Sequence, residues 1–270
     1  MKQLKLDTNG IWISEDVIAV SYPNEGNKSL LDVEEKSFWF QHRNNVIKTV
    51  IKRFPFKKNF VDIGGGNGFQ ASFLAENFSS SDVFFLEPGY EGCLNAKARG
   101  LKNVYNIPFQ YFDFVQKNID AVGLFDVVEH IDDDVKFLTE LRSKLPKGSL
   151  IYMTVPAHNY LWSDADDFGG HFRRYNLKMI KELAIKTDLE LVFSSYFFFY
   201  VPPITYFLKH LPYKIRGKRV NKEILDSEMK QLSPSKIVSS VFSVLHNYEL
   251  KRLSNGTMMN GGSCFGVFKV

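Results

Sequence analysis

The sequence predicts an α/β fold built on a parallel sheet with helices on both faces. Two observations carry this. Short apolar runs bounded by turn residues alternate with longer helical patterns along most of the chain. The run Phe60-Val61-Asp62-Ile63 leads straight into Gly64-Gly65-Gly66-Asn67-Gly68 and then into a helical pattern, as a strand does when it ends at a ligand-binding turn.

Taken in order, residues 1–50 read as an accessory element, with 32–54 mostly helical. Seven strands follow at 59–63, 82–86, 103–107, 119–125, 149–155, 189–195 and 264–270, with helices at 69–77 and 135–145 between them. Pro146-Lys147-Gly148 turns the chain before the fifth strand. Residues 51–195 with 263–270 form the sheet domain, and 196–262 read as an aromatic-rich helical insertion or lid. Phe and Tyr crowd its beginning, Pro202-Pro203 interrupts them, and Lys214, Arg216, Lys218, Arg219 and Lys222 follow. An aromatic face beside a basic run suits an interfacial membrane segment, so 193–222 is read as a peripheral membrane contact. The same composition suits an acceptor pocket, a dimer contact, or the core of a lid with a solvated basic face.

Composition narrows the class. With 270 residues, 44% of them hydrophobic, the chain has enough apolar surface for a sizeable core. A net charge of +4 is too weak and dispersed for a nucleic-acid partner. Cys93 and Cys264 show no metal or redox spacing, which fits a reducing cytoplasm. No run nears the ~20 apolar residues of a spanning helix, and the start lacks the apolar stretch of a secretion signal. The expected location is cytoplasmic, with peripheral contact at the inner membrane face.

The glycine turn is the first candidate site. Gly64, Gly66 and Gly68 permit a tight turn and let a ligand touch bare backbone, and the next helix points its amide-rich N-terminus at the same place. The dinucleotide fingerprint spaces its glycines G-x-G-x-x-G. Here the spacing is G-x-G-x-G, with Asp62 two residues ahead. A carboxylate there repels a pyrophosphate and suits a ligand with an ammonium group, such as S-adenosylmethionine. At the end of the second strand, Glu87 occupies the place where an acid accepts hydrogen bonds from ribose hydroxyls.

The pattern D-x-G-x-G-x-G resembles the class I S-adenosylmethionine-dependent methyltransferases. Phe125-Asp126-Val127-Val128-Glu129-His130-Ile131-Asp132-Asp133 is similar to the F-D-V-x-E-H-x-x-D of a type 11-like bacterial subfamily associated with polysaccharides. So are Thr154-Val155-Pro156-Ala157, Leu161-Trp162-Ser163, Asp166 and Gly170-His171-Phe172-Arg173-Arg174-Tyr175. Upstream, Ser37-Phe38-Trp39-Phe40 with Arg43-Asn44 looks like that subfamily's N-terminal helix, and the resemblance spans about residues 20 to 210. It implies a Rossmann-like, seven-stranded, mostly parallel sheet whose last strand is antiparallel. The implied cofactor is S-adenosylmethionine. Asp62 would stand near the amino end of its methionine moiety, with Gly64, Gly65, Gly66 and Gly68 beneath it, and Glu87 would hold the ribose. Phe125 and Asp126 would flank the methionine portion and Arg43 would pair with its carboxylate. The loop 108–113 departs from the commoner D-A-x-x-L-P-F form, which leaves Phe112 and Asp113 as the candidate adenine neighbours.

Methyl transfer from a sulfonium is an in-line displacement, so a protein mainly holds the acceptor in place and excludes water. Where the acceptor is a hydroxyl, a base helps to remove its proton, and His130 or His171 is placed to serve. The alternative for His130 is a packing or capping role. For His171, in a loop dense with Asp164, Asp166, Asp167, Arg173 and Arg174, it is a structural Asp-to-Arg network. Asp126, Glu129 and His130 have a spacing similar to the E-x-x-E-H of quinone O-methyltransferases, in which a divalent cation is implicated. Mg²⁺, Mn²⁺ or Zn²⁺ on those three residues is the metal-assisted alternative, and no metal ligand is assigned from sequence. Asp132, Asp133 and Asp134 read as acids at a helix N-terminus. Overall, the expectation is a methyltransferase acting on a small, lipid-linked or saccharide-linked acceptor. An NAD-dependent oxidoreductase and a non-catalytic S-adenosylmethionine-binding protein remain the competing readings.

Overall fold

The structure, a computed structural model, describes residues 4–14, 34–35, 37–216 and 236–270. Lys218, Arg219 and Lys222 of the basic run, and the expected helix start at residue 32, lie outside the described residues.

At the centre of the sheet runs β3 (Asn59–Ile63), buried from Phe60 onward. Its apolar residues face helices on both sides, which is why its sequence from Phe60 on is a continuous apolar run apart from Asp62. On one side it pairs in parallel with β4 (Val83–Leu86), which pairs with β5 (Asn103–Asn106). On the other side it pairs with β6 (Ile119–Phe125), followed by β7 (Leu150–Pro156). The chain thus reverses its direction of growth between β3 and β6, and a crevice opens outside the carboxyl ends of those strands.

The last strand, β9 (Ser263–Lys269), inserts antiparallel between β7 and β8 (Glu190–Phe197). The expected antiparallel final strand is therefore present. The sheet has nine strands rather than seven, in the order β1-β2-β5-β4-β3-β6-β7-β9-β8. The two further strands, β1 (Lys5–Leu6) and β2 (Trp12–Ile13), come from the N-terminal segment read as an accessory element, ahead of its helical part. They pair with each other around a turn in which Asp7 Oδ1 accepts from the N–H groups of Asn9 and Ile11, at 2.9 and 2.8 Å. β2 then extends the sheet beyond β5.

Helix α1 (Phe38–Arg53) is capped by Ser37, whose hydroxyl accepts from Trp39 N–H, and ends on Lys52 and Arg53, which suit its C-terminal dipole. Its inner face carries Val46, Ile47, Val50 and Ile51, together with His42, Arg43 and Asn44. That face packs on α9 (Lys236–Asn255). His42 Nε2 lies 2.7 Å from Glu249 Oε2 in full burial, and Trp39 stacks on Phe198 with centroids 3.7 Å apart. Glu249 also accepts from the N–H groups of Phe198 and Phe199. The N-terminal helix and the segment after β8 are thereby joined into one wall beside the crevice.

The remaining helices are α2 (Phe69–Asn77), α3 (Tyr90–Ala98), α4 (Asp134–Lys144), α5 (Asp164–Gly169) and α6 (Leu177–Lys186). After β8 come α7 (Val201–Thr205), a π-helical turn (Tyr206–His210) and α8 (Leu211–Arg216). Among the described residues no helix is long and apolar enough to cross a membrane.

Candidate functional site: a two-ended cavity at the carboxyl edge of the sheet

A cavity of about 670 Å³ opens at this edge, lined at one end by the glycine turn and at the other by Glu129, His130, His171 and Arg174. The turn begins where β3 ends. Gly64, Gly66 and Gly68 all have left-handed backbone (φ +70°, +58° and +75°), a conformation that glycine alone adopts without strain. Gly68 does not reach the cavity wall. It caps α2, and a Cβ there would stand 2.7 Å from Ala96 Cβ.

Asp62 lies directly under this turn, with no exposed surface and no hydrogen-bond partner for either carboxylate oxygen. Burial raises its pKa to about 7, with Arg43 opposing and Glu87 adding to the rise. The carboxylate stands behind the turn rather than on the cavity wall. Glu87 does line the cavity, and its oxygens accept from Gly66 N–H at 3.0 Å and Gly89 N–H at 2.7 Å. Burial pushes its pKa up to about 7 against those two bonds. Glu87 thus shapes the turn from below as well as edging the cavity.

Phe125 and Asp126 close β6 and line the cavity. Asp126 has φ +56°, a costly conformation for a non-glycine residue and one common at functional sites. Both of its oxygens are engaged: Arg43 donates to Oδ2, and Thr154 Oγ1 donates to Oδ1 at 3.0 Å. Arg43 therefore faces the cavity from α1, where it pairs with Asp126 and with the Gln70 amide oxygen once that amide is turned to satisfy its neighbours. The expectation of Asp126, Glu129 and His130 as one metal-binding triad is not met, because Asp126 turns to Arg43 and Thr154. Phe112 and Asp113 do not line the cavity either: Phe112 packs edge-on to Tyr105 and Phe84, and Asp113 accepts from Gln116 N–H. Ile107, Pro108, Phe109 and Gln110 take that side of the wall.

At the far end, Glu129 is fully buried, Oε2 has no hydrogen-bond partner, and burial with the nearby Asp126 raises its pKa well above the usual range. Burial and the neighbouring His171 lower the pKa of His130 to about 4. The two rings meet edge to face with centroids 4.7 Å apart. Asp166 organises the loop that brings His171 here. Its carboxylate caps α5 through Ser163 N–H, accepts from Arg174 Nε and Nη2 at 2.7 and 2.8 Å, and lies 2.9 Å from His171 Nδ1. Burial would raise its pKa, but the bonds from His171 and Arg174 outweigh that and hold it far below the usual range. An ionised carboxylate only accepts, so His171 presents a proton on Nδ1 to Asp166 and turns Nε2 away from it. The expected Asp-to-Arg network is present, and His171 is part of it. Phe172 N–H donates to the Glu129 carbonyl, and Arg173 donates to those of Ile131 and Asp132, which locks this loop onto the turn after β6.

A methyltransferase-domain family matches residues 39–193, more than half of the sequence. The chain belongs to this family. The matched span holds Arg43, the glycine turn, His130 and His171. No curated protein sequence matches. Among solved structures, Haemonchus contortus phosphoethanolamine N-methyltransferase 2, in complex with phosphomonomethylethanolamine and S-adenosylhomocysteine, is similar with TM-score 0.56 and 17% identity, over 93% of this chain and 58% of that one. This chain thus spans less than two thirds of that relative's length. The plantazolicin methyltransferase BpumL in complex with S-adenosylhomocysteine is similar with TM-score 0.55 and 12% identity, over 91% and 90% of the two chains. The [4+2]-cyclase SpnF is similar with TM-score 0.53 and 14% identity, over 86% and 82%. At these identities the likeness is one of fold, and a fold shared with a cyclase does not name a reaction.

Proposed function

We propose that this methyltransferase domain transfers a methyl group from S-adenosylmethionine to a small, lipid-linked or saccharide-linked acceptor. The observation that carries the reading is the glycine turn: bare backbone on the cavity side, and a buried, unpartnered Asp62 carboxylate behind it. The residues present fit the cofactor. The turn brings side-chain-free backbone at Gly64, Gly65 and Gly66 to the cavity wall, Glu87 stands at the edge for ribose hydroxyls, and Arg43 faces the same end for a carboxylate. Phe125 and Asp126 flank that end. When bound, S-adenosylmethionine supplies an electrophilic methyl carbon.

The chain's own work is positional. Arg43 exchanges Asp126 for an incoming carboxylate, and apolar residues such as Phe109, Phe137 and Leu161 keep water from the cavity. His171 and His130 face the acceptor's heteroatom, since both line the far end of the cavity and Asp166 holds His171 by Nδ1. The chain from α7 to α8 forms the lid on this side. It is tied down by His210 to the Trp162 carbonyl and by Tyr213 to Asp167, and it exposes Ile204, Phe207, Leu208 and Ile215. Val201, Thr205 and Lys209 on the same segment line the cavity. That pairing of an exposed apolar face with a cavity wall supports an acceptor drawn from a membrane surface.

The test is calorimetric titration with S-adenosylhomocysteine and, separately, with NAD. Micromolar binding of the first alone is expected. Binding of NAD alone would replace this reading with an oxidoreductase one, and binding of neither by the folded protein would remove it.

A further inference from the structure

Three donor groups converge at the acceptor end of the cavity. Glu129 and His130 are adjacent in the 3₁₀ turn Val128–His130 that follows β6, and His171 arrives from the loop after α5. All three line the cavity. One ligand atom from each lies within 4.8 Å of the other two. Glu129 is 1% exposed, and its Oε2 has no hydrogen-bond partner. A buried carboxylate oxygen left in that state beside two imidazoles calls for a cation.

His171 is held for ligation. Asp166 fixes its proton on Nδ1, which leaves the Nε2 lone pair available, and Arg174 and Ser163 fix Asp166 in turn. A carboxylate behind the non-ligating nitrogen is the usual support of a metal-binding histidine. Gly169 leaves room at the same spot: a Cβ on it would stand 3.2 Å from His171 Nε2. Asp126 stays out of the cluster, because Arg43 and Thr154 occupy it.

We propose that Glu129, His130 and His171 bind one divalent transition-metal ion, with Asp166 as the positioning residue that keeps His171 in the ligating tautomer. Two imidazoles and one carboxylate favour Zn²⁺, followed by Mn²⁺ and Fe²⁺, over the oxygen-seeking Mg²⁺ and Ca²⁺. Ligand atoms around an ion at bond lengths of about 2.1 Å stand roughly 3 to 3.5 Å apart, so side-chain rotation closes the cluster onto it. Three protein ligands leave positions open to the cavity. That the methyl acceptor takes one of them rests on the methyltransferase reading; the ion site does not. A hydroxyl bound there would ionise near neutral pH, as zinc-bound water does at about pH 7. Its proton then passes to solvent, and no ring nitrogen has to take it.

The test uses protein stripped with a chelator and titrated with Co²⁺, followed by visible absorption, and with Zn²⁺, followed by calorimetry. The expected result is one ion per chain. Glu129→Gln and His171→Asn should each weaken Zn²⁺ binding at least 10-fold, and Asp166→Asn should weaken it by 10- to 100-fold, the usual cost of losing such a support. S-adenosylhomocysteine binding by each variant reports that it is folded. Should His171→Asn fail that control, Glu129→Gln decides. Loss of S-adenosylhomocysteine binding in the wild type with Zn²⁺ binding intact would sink the methyltransferase reading and leave the ion site standing. A Co²⁺ spectrum no different from the aqueous ion, or Zn²⁺ affinity unchanged in Glu129→Gln, would overturn the site.

Discussion

Gly65 stands over the carboxylate of Asp62 with room for a hydrogen and little else. A Cβ at this position would lie 2.5 Å from Asp62 Oδ2 and 2.6 Å from a ring carbon of Phe85. Neither neighbour is free to yield, since both are fully buried. Gly65→Ala must therefore displace the turn or push Asp62 aside. We expect a stability loss of about 1–3 kcal/mol, the usual range for overpacking, and at least a 10-fold loss of S-adenosylhomocysteine affinity. Urea unfolding and calorimetry on the same preparation check both. An unchanged affinity would mean that the turn does not cradle the ligand.

Asp62 also makes a pH prediction with a definite sign. Its folded pKa of about 7 lies above the ordinary 3.8, so the native state binds more protons than the unfolded chain between those values. Its contribution to stability is complete below about pH 4 and is lost as pH rises through 7. His130 and His246 act in the opposite sense. Their pKa values are held at about 4 and about 3, by burial together with a neighbouring histidine, and their contribution grows up to about pH 6.5. The clean comparison is therefore Asp62→Asn against wild type. The variant's stability relative to wild type should rise by ~1–3 kcal/mol from pH 5 to pH 8. A difference independent of pH would mean that Asp62 is ionised throughout.

The exposed face of the lid carries the third prediction. Phe207, Leu208 and Ile215 are 64%, 61% and 73% exposed, and Lys214 is exposed beside them. If this face meets lipid, the wild type should sediment with anionic phosphatidylglycerol vesicles. The double variant Phe207→Ser, Leu208→Ser should do so several-fold less, with S-adenosylhomocysteine binding unaltered. Equal sedimentation of the two proteins, or none by either, would remove the membrane from the acceptor's route.

How far these features were readable from sequence depends on how local their physics is. β3, β6 and α2 match their expected bounds residue for residue, because a buried strand is an apolar run and the glycine turn marks where the helix begins. β1 and β2 are two residues each, too short to show a period. The signal that would have found them is the Asp7-Thr8-Asn9-Gly10 turn between Lys5-Leu6 and Trp12-Ile13, with Asp7 accepting from the chain that follows. Asp62, the glycines and Glu87 stand within one βαβ unit, so their spacing reported them. Asp166 reaching back to His171, and Arg43 crossing from α1 to Asp126, depend on how distant segments meet. No local pattern encodes that Arg43 spends its charge on Asp126, or that His171 joins Glu129 in place of Asp126.

The last prediction concerns the wall that carries Arg43. Glu249 is fully buried and makes three contacts: His42 Nε2 at 2.7 Å, and the N–H groups of Phe198 and Phe199 at 2.9 Å each. Phe198 has φ +59°, so its backbone is held in a strained region that these bonds help to maintain. Removing the carboxylate leaves the Phe198 amide and the His42 imidazole without that partner in full burial, and the Phe199 amide in partial burial. Glu249→Ala should cost about 3–5 kcal/mol, since each polar group left unpaired in the interior costs about 1–3 kcal/mol. The exposed Lys178–Glu182 pair, 3.7 Å apart on α6, supplies the contrast, and Glu182→Gln should change stability by less than about 0.5 kcal/mol. Because α1 leans on this network through His42 and Trp39, the Glu249 variant should also lose S-adenosylhomocysteine affinity, although Glu249 lies outside the cavity. Amide exchange at Phe198 and Phe199 separates the two effects: faster exchange together with weaker binding ties the wall to the site, and faster exchange with unchanged binding confines Glu249 to the stability of the fold.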